Sequence, residues 1–192
     1  MEGLELDRLW EVAKGMLPRS GSHGVEHTER VYQICLSLGR RLDADLGVLL
    51  PAAILHDIGR RPGVENHAEE SARMAEGILR ELGFKEPRIE EITGAIRAHS
   101  FSGGRRPGTL EGEILSDADK LDALGAVGIY RAAAYSGETT RSLDDFVRHF
   151  HEKLLKLPDL MYTDPAREMA LRRREFMVRY LDQLQREVNL EA

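Results

Sequence analysis

The chain predicts an all-α fold, a single helical bundle-like domain, and three observations carry that expectation. Apolar residues recur at helical spacing along most of its 192 residues. No stretch shows the alternation of apolar and polar residues that marks a half-buried strand. Gly, Pro, Asp and Asn cluster between the periodic stretches, where helices start and stop.

The elements follow in order. A first helix is expected over Leu4 to Leu17, ending ahead of Pro18 and Gly21. A second runs from Val25 to Leu42 and turns Val31, Ile34, Cys35, Leu38 and Leu42 to one face. Asp43 and Asp45 supply turn and cap residues for a third helix that ends near Ile58, with Gly59 as its stop. Pro51 must either kink that helix or mark a late start. A fourth spans Asn66 to Leu82 and closes at Gly83, and Pro87 opens a fifth whose Ile89, Ile92 and Ile96 lead to His99. The segment from Ser100 to Gly108 is the clearest loop. One helix should then hold Leu110 to about Ala134, with two more near Leu143 to Leu155 and Pro165 to Val188. With no internal repeat, low-complexity tract or dividing linker, a single domain is expected over residues 1–192.

Composition excludes several classes. Hydrophobic residues at 42% and charged residues at 31% suit a folded globular chain rather than a disordered one. No apolar stretch approaches the roughly 18 residues that span a bilayer. The acidic start, Met1 to Asp7, lacks the layout of a signal peptide, so a cytoplasmic location is expected. A net charge of −6 argues against nucleic acid or a membrane surface as partner. The single Cys35 excludes an intramolecular disulfide or a thiolate metal cluster, and its apolar run makes it a small buried hydrophobe. The arginine pairs Arg40-Arg41, Arg60-Arg61 and Arg105-Arg106 and the triplet Arg172 to Arg174 read mostly as solvated helix faces.

The chemistry concentrates elsewhere. His56 and Asp57 close the almost wholly apolar run from Pro51 to Gly59. Burying an ionised carboxylate beside an imidazole is costly unless something pairs with both. A divalent ion does so, since neutral His nitrogen and Asp oxygen are its ordinary ligands. Five of the seven histidines lie in the first hundred residues: His23, His27, His56, His67 and His99. Four of these stand near predicted helix ends, where several helices can converge on one pocket. His23 and His27 are four apart and share a face if both are helical. Asp117, Asp119 and Asp122 form an acidic run in a segment otherwise rich in Leu, Ala and Gly.

The order of these groups resembles the HD-domain metal-dependent phosphohydrolases. The matching positions are His27 before Thr28-Glu29-Arg30-Val31, His56-Asp57 before Ile58-Gly59, and an aspartate in the run Ala118 to Leu124. The similarity extends from about Gly21 to Leu184 and includes Ala98 to Ser102, Ser116 to Tyr130 and Lys153 to Met161, which look like a compact stand-alone subgroup. It implies a core over about 21–135 followed by C-terminal helices over about 140–190.

The resemblance also implies a ligand set of His27, His56, Asp57 and Asp119. Asp119 is preferred over Asp117 because the family's ligating aspartate usually precedes a basic residue, here Lys120. Mn²⁺ leads as the bound ion, with Fe²⁺, Co²⁺, Ni²⁺ and Zn²⁺ also compatible. One ion is expected, with room for a second if His67 and His99 join it across the Asp57 carboxylate. Those two histidines could instead contact phosphate or donate a proton, or simply start and end helices. Asp57, His67, His99 and Lys120 are the candidate catalytic residues, and Lys120, Arg60 and Arg97 the candidate phosphate contacts. A bland reading of Lys120 is a helix lysine reaching solvent. His23 reads as shaping the helix entrance, Asp122 as orienting a neighbour or capping the site, and His149 and His151 as surface or core residues.

The implied activity is hydrolysis of a small phosphate ester or anhydride, a nucleotide in first place, by metal-activated water. The chain lacks the Gly-Tyr-Pro motif of the cyclic-dinucleotide branch. Two other readings stay open: a di-iron oxygenase on an HD-like fold, and a non-catalytic nucleotide sensor. The last helix, with Leu171, Val178, Leu181 and Leu184, suits either inward packing or a homodimer.

Overall fold

Every residue from Val48 to Leu55 is buried in the computed structural model, and the first part of the chain is arranged around that run. The structure describes residues 2–19, 21–100 and 106–191. They form nine α-helices and no strand among the described residues: α1 Glu2–Met16, α2 Val25–Leu42, α3 Leu46–Leu55, α4 His67–Glu81, α5 Glu86–His99, α6 Leu110–Asp122, α7 Gly125–Glu138, α8 Leu143–Glu152 and α9 Asp164–Val188. A 3-10 helix, Leu154–Leu160, lies between the last two. The all-α expectation holds. The chain divides into two compact units, Met1–Asp119 and Lys120–Ala192.

In the first unit α3 packs against α1, α2 and α5, and α4 lies against α5. A helix apolar on all sides has no solvent face to offer, so it takes the centre. Asp45 caps it by accepting from the Gly47 N–H. The helix begins five residues before Pro51 and runs through it, which rules out the late start. Asp43 ends α2 in the left-handed region at φ 55°. Asn66 caps α4 through the Glu69 N–H, and Gly83 follows that helix at φ 84°.

Two expectations are corrected. The helix expected to hold Leu110 to Ala134 is two helices, α6 and α7, with Leu124 extended between them and Gly125 at φ 73°. Side chains with a Cβ resist that backbone region, and Leu121, Leu124 and Val127 keep helical spacing across the break, which hides it. The second of these helices, α7, continues past Ala134 to Glu138. Gly59 is not the stop of α3, which ends at Leu55; His56 to Gly59 form a turn, closed by Ile58 N–H to Leu55 O and Arg60 N–H to Asp57 O.

In the second unit α7 packs on α9, while α8 and the 3-10 helix complete the cluster. Phe146, Phe150, Leu157, Met161, Ala170 and Met177 fill its core. Asp122 pairs with Arg131 at 3.0 Å, both buried, so it neutralises a cation of its own unit. On α9, Leu181 is buried whereas Leu171 and Val178 are exposed. His151 is exposed and His149 half-buried. Phe101 to Arg105 of the expected loop lie outside the described residues. Among those described, no helix is long and apolar enough to cross a membrane.

Candidate metal centre

Five helix ends of the first unit supply the polar side chains. His27 stands in the first turn of α2, His56 caps the end of α3, His67 opens α4, His99 closes α5 and Asp119 is in the last turn of α6. Helix ends suit this task because side chains there project past the backbone instead of alongside a packed neighbour. The turn after α3 then swings Asp57 into their midst. His27, His56, Asp57 and His99 are all buried, and His67 is 9% exposed.

Asp57 is the hub. Its Oδ2 lies 3.1 Å from His23 Nδ1, 3.7 Å from His27 Nε2 and 2.9 Å from Arg60 Nε. Its Oδ1 lies 3.5 Å from His67 Nε2 and 3.7 Å from His99 Nε2. His27 Nε2 is 3.2 Å from His56 Nε2 and 3.5 Å from Asp119 Oδ1. Three sets of potential ligands result: His23, His27 and Asp57; His27, His56 and Asp119; and His56, Asp57 and His99. Within each set the donor atoms lie within 4.8 Å of one another.

These residues fit a cation on grounds of their own. Asp57 Oδ1 and His99 Nε2 are buried without a hydrogen-bond partner among the described residues, an arrangement that costs free energy unless something else satisfies them. His56 and His99 point the right nitrogen inward. Each Nδ1 donates to a backbone carbonyl one turn earlier, Ala53 O at 2.8 Å and Ile96 O at 2.6 Å, which turns Nε2 to the centre.

Electrostatics agree. Burial pushes the His56 imidazole down to about 3, against a weaker upward pull from Asp57. Burial likewise lowers His67 to about 4. Both are therefore neutral near pH 7, the form that binds metal. Asp57 stays ionised: burial acts to raise its pKa, but His56, His23, His99 and Arg60 hold it well below the carboxylate range. Asp119 is lowered as well, since His27 and His99 outweigh its burial. His99 is the exception, because its contact with Asp57 overcomes burial and raises its proton affinity.

A pH prediction follows for protein freed of metal. The unfolded chain protonates His56 and His67 near pH 6.5, whereas the fold keeps them neutral down to about 3 and 4. Their contribution to stability is therefore present above pH 6.5 and declines as pH falls through that window. For His56 alone the loss at pH 5 is on the order of 2 kcal/mol. His99, with a raised pKa, contributes in the opposite sense, stabilising below pH 6.5, but is one group against two. Thermal melts of chelator-treated protein should give a lower Tm at pH 5 than at pH 7; an unchanged or higher Tm contradicts this charge assignment.

Other expected site residues are placed as follows. Asp117 is buried but belongs to none of the three ligand sets. Beside it, Cys35 is a buried free thiol, pushed up by burial and by Asp119 and Asp117. Arg60 reaches the centre, donating from Nη2 to His67 Nε2 at 2.7 Å as well as to Asp57. Arg97 does not: it contacts Glu69 at 3.1 Å, Glu76 at 3.9 Å and the Thr93 hydroxyl at 3.0 Å. Lys120, next after Asp119, is buried in the second unit with its Nζ 4.8 Å from the Tyr162 ring centroid. His23 is nearer the centre than sequence reasoning placed it. It precedes α2 instead of sharing a helical face with His27, and its position beside Asp57 depends on the turn over Gly21 to Gly24.

Known proteins are similar to this chain in sequence and fold. The sequence profile of the HD domain matches residues 24–124, which contain every histidine and aspartate of the three sets except His23. YpgQ of Bacillus subtilis is 30% identical over 193 residues, covering 94% of this chain and 91% of its own. Its crystal structure in complex with ADP superposes with a TM-score of 0.83 at 31% identity, covering 97% of this chain and 96% of that one. An HD-superfamily hydrolase of Bacillus thuringiensis gives a TM-score of 0.78 at 29% identity, over 98% of this chain and 99% of its own. A predicted HD-superfamily hydrolase from an uncultured Thermotogales bacterium gives 0.72 at 31% identity, over 95% of this chain and 92% of its own. The profile match over residues 24–124, together with 30% identity to YpgQ over 94% of the chain, makes this chain a member of the HD domain family.

Proposed function

We propose that the protein is a metal-dependent phosphohydrolase that cleaves a nucleotide phosphoester or phosphoanhydride bond. The observation that carries this reading is the convergence of neutral histidines and ionised carboxylates on one buried point, with Asp57 Oδ1 and His99 Nε2 left to be satisfied there. A divalent ion held by His27, His56, Asp57 and Asp119, Mn²⁺ first among the candidates, would supply Lewis acidity toward water and a phosphoryl oxygen.

The chain's own residues take the remaining roles. His56 and His67 are kept neutral by burial; the His56 Nε2 is turned to the centre, whereas the His67 Nε2 accepts from Arg60. His99 keeps its Nδ1 proton toward Ile96 O and turns Nε2 to the centre beside Asp57 Oδ1, placed to contact the phosphate or to relay a proton to the departing oxygen. Arg60 brings fixed positive charge to the phosphate oxygens. Arg97 would first have to leave Glu69 and Glu76, so little of the phosphate charge falls to it.

A nucleotide is the leading substrate class because YpgQ, similar over nearly its full length, was crystallised with ADP. A di-iron oxygenase would need His67 as a ligand, and its Nε2 is already bound by Arg60. The test is hydrolysis of a broad nucleotide panel with Mn²⁺, resolving phosphate from pyrophosphate release, with His56→Ala as control. At least one nucleotide should be hydrolysed, with activity falling by about 10²-fold or more in the variant. Metal-loaded protein that stabilises on nucleotide binding yet turns over nothing on the panel would instead be a sensor.

A further inference from the structure

We infer that Arg60 fixes the metal count of this centre at one ion, because it occupies the His67 nitrogen that a second ion would need and sets a fixed positive charge beside it. The inference rests on the metal reading above and deepens it. The other three expected ligands meet on one side of Asp57, where His27 Nε2 approaches His56 Nε2 and Asp119 Oδ1. On the other side, Asp57 Oδ1 faces His67 Nε2 at 3.5 Å and His99 Nε2 at 3.7 Å. One carboxylate oxygen and two imidazole nitrogens there would make a second divalent site if both nitrogens offered lone pairs.

His67 cannot offer its lone pair. Arg60 Nη2 lies 2.7 Å from His67 Nε2, and a guanidinium has donors only, so the imidazole nitrogen must accept. The His67 proton therefore sits on Nδ1, and the single Nε2 lone pair is used. The same guanidinium donates from Nε to Asp57 Oδ2 at 2.9 Å. A permanent cation thus bridges the two residues that a second ion would bridge, and its charge disfavours a divalent ion beside it.

The chain around Arg60 aims it there. Its N–H bonds Asp57 O at 3.0 Å, closing the turn, and the Gly59 N–H donates to Ser71 Oγ at 2.9 Å, tying that turn to α4. The neighbouring Arg61 holds Glu70 at 2.6 Å, on the same helix that begins with His67. The Arg60 side chain is 32% exposed, so it lies against the site with most of its surface covered. Arg60 on this reading also serves in place of a second cation.

Metal stoichiometry tests this without recourse to activity. The wild-type chain, Arg60→Ala, Arg60→Met and the double variant Arg60→Ala/His67→Ala would be equilibrated with excess Mn²⁺, freed of loose ion by gel filtration and analysed for metal per chain. The expected values are one ion for the wild type, two for each single variant, and one again for the double variant. Arg60→Met keeps the side-chain bulk and carries the test should the alanine variant fold poorly. A wild-type chain holding two ions, single variants remaining at one, or a double variant still holding two would each overturn the role of Arg60. A wild-type chain that takes up no ion overturns the metal reading itself, and the inference with it.

Discussion

Replacing Asp57 with alanine should remove the bound metal and lower turnover by at least about 10³-fold, the largest effect expected of any single change in this chain. No other residue touches so much of the centre. One oxygen meets His23, His27 and Arg60, and the other meets His67 and His99. Without it, Asp119 is the sole carboxylate of the three ligand sets. An ion held by two imidazoles and one carboxylate is bound more weakly and leaves with dialysis. The metal-free variant should also be less stable by about 3 kcal/mol, because the Arg60 guanidinium loses its carboxylate. Asp57→Asn separates charge from shape. It should lose metal and activity to a similar degree while folding better than the alanine variant, since an amide oxygen can still accept from Arg60. Metal content, melting temperature and nucleotide hydrolysis on the same preparations check all three statements; full metal and full activity in either variant would show the centre to be wrongly placed.

What the sequence made legible was local or ordered, and what it hid was tertiary. The bounds of α2 match expectation at both ends, because Gly24 and Asp43 punctuate a clean apolar stripe. His27, His56, Asp57 and Asp119 could be picked out by their order and by the cost of burying polar groups in apolar runs, and the fold does bring them together. The break between α6 and α7 escaped notice because apolar spacing continues across it. Arg97 was grouped with the site for standing two residues before His99. Two residues are about 200° around a helix, so the two side chains diverge, and Arg97 meets the glutamates of α4 instead. The partnership of Arg60 with His67 was not legible at all. It depends on a four-residue turn laid against a helix that starts eight residues later.

That turn is the basis of the second large effect. Gly59→Ala should destabilise the protein by about 2 kcal/mol and lower activity by about 10²-fold, although residue 59 contributes no side chain to the centre. A Cβ at this position would stand 2.5 Å from Ser71 N and 2.8 Å from Glu70 C, both backbone atoms of α4. A flexible side chain could rotate away from such a clash, but helix backbone cannot. Either the turn or α4 has to shift by several tenths of an ångström, and the bond from Gly59 N–H to Ser71 Oγ weakens in the process. His56 and Asp57 ride on one side of that contact, and His67 opens the helix on the other. The displacement therefore changes Asp57 to His67 and Arg60 to His67 geometry directly, and partial loss of bound metal should accompany the loss of activity. Gly77→Ala is the control, since it makes the same chemical change in the middle of α4 with nothing within 4 Å of the new methyl. It should stabilise the helix by about 0.5–1 kcal/mol and leave metal content and turnover unchanged. If both variants behave alike, the contact between the turn and α4 does not hold the centre in register; opposite signs in Tm with activity lost only at Gly59 show that it does.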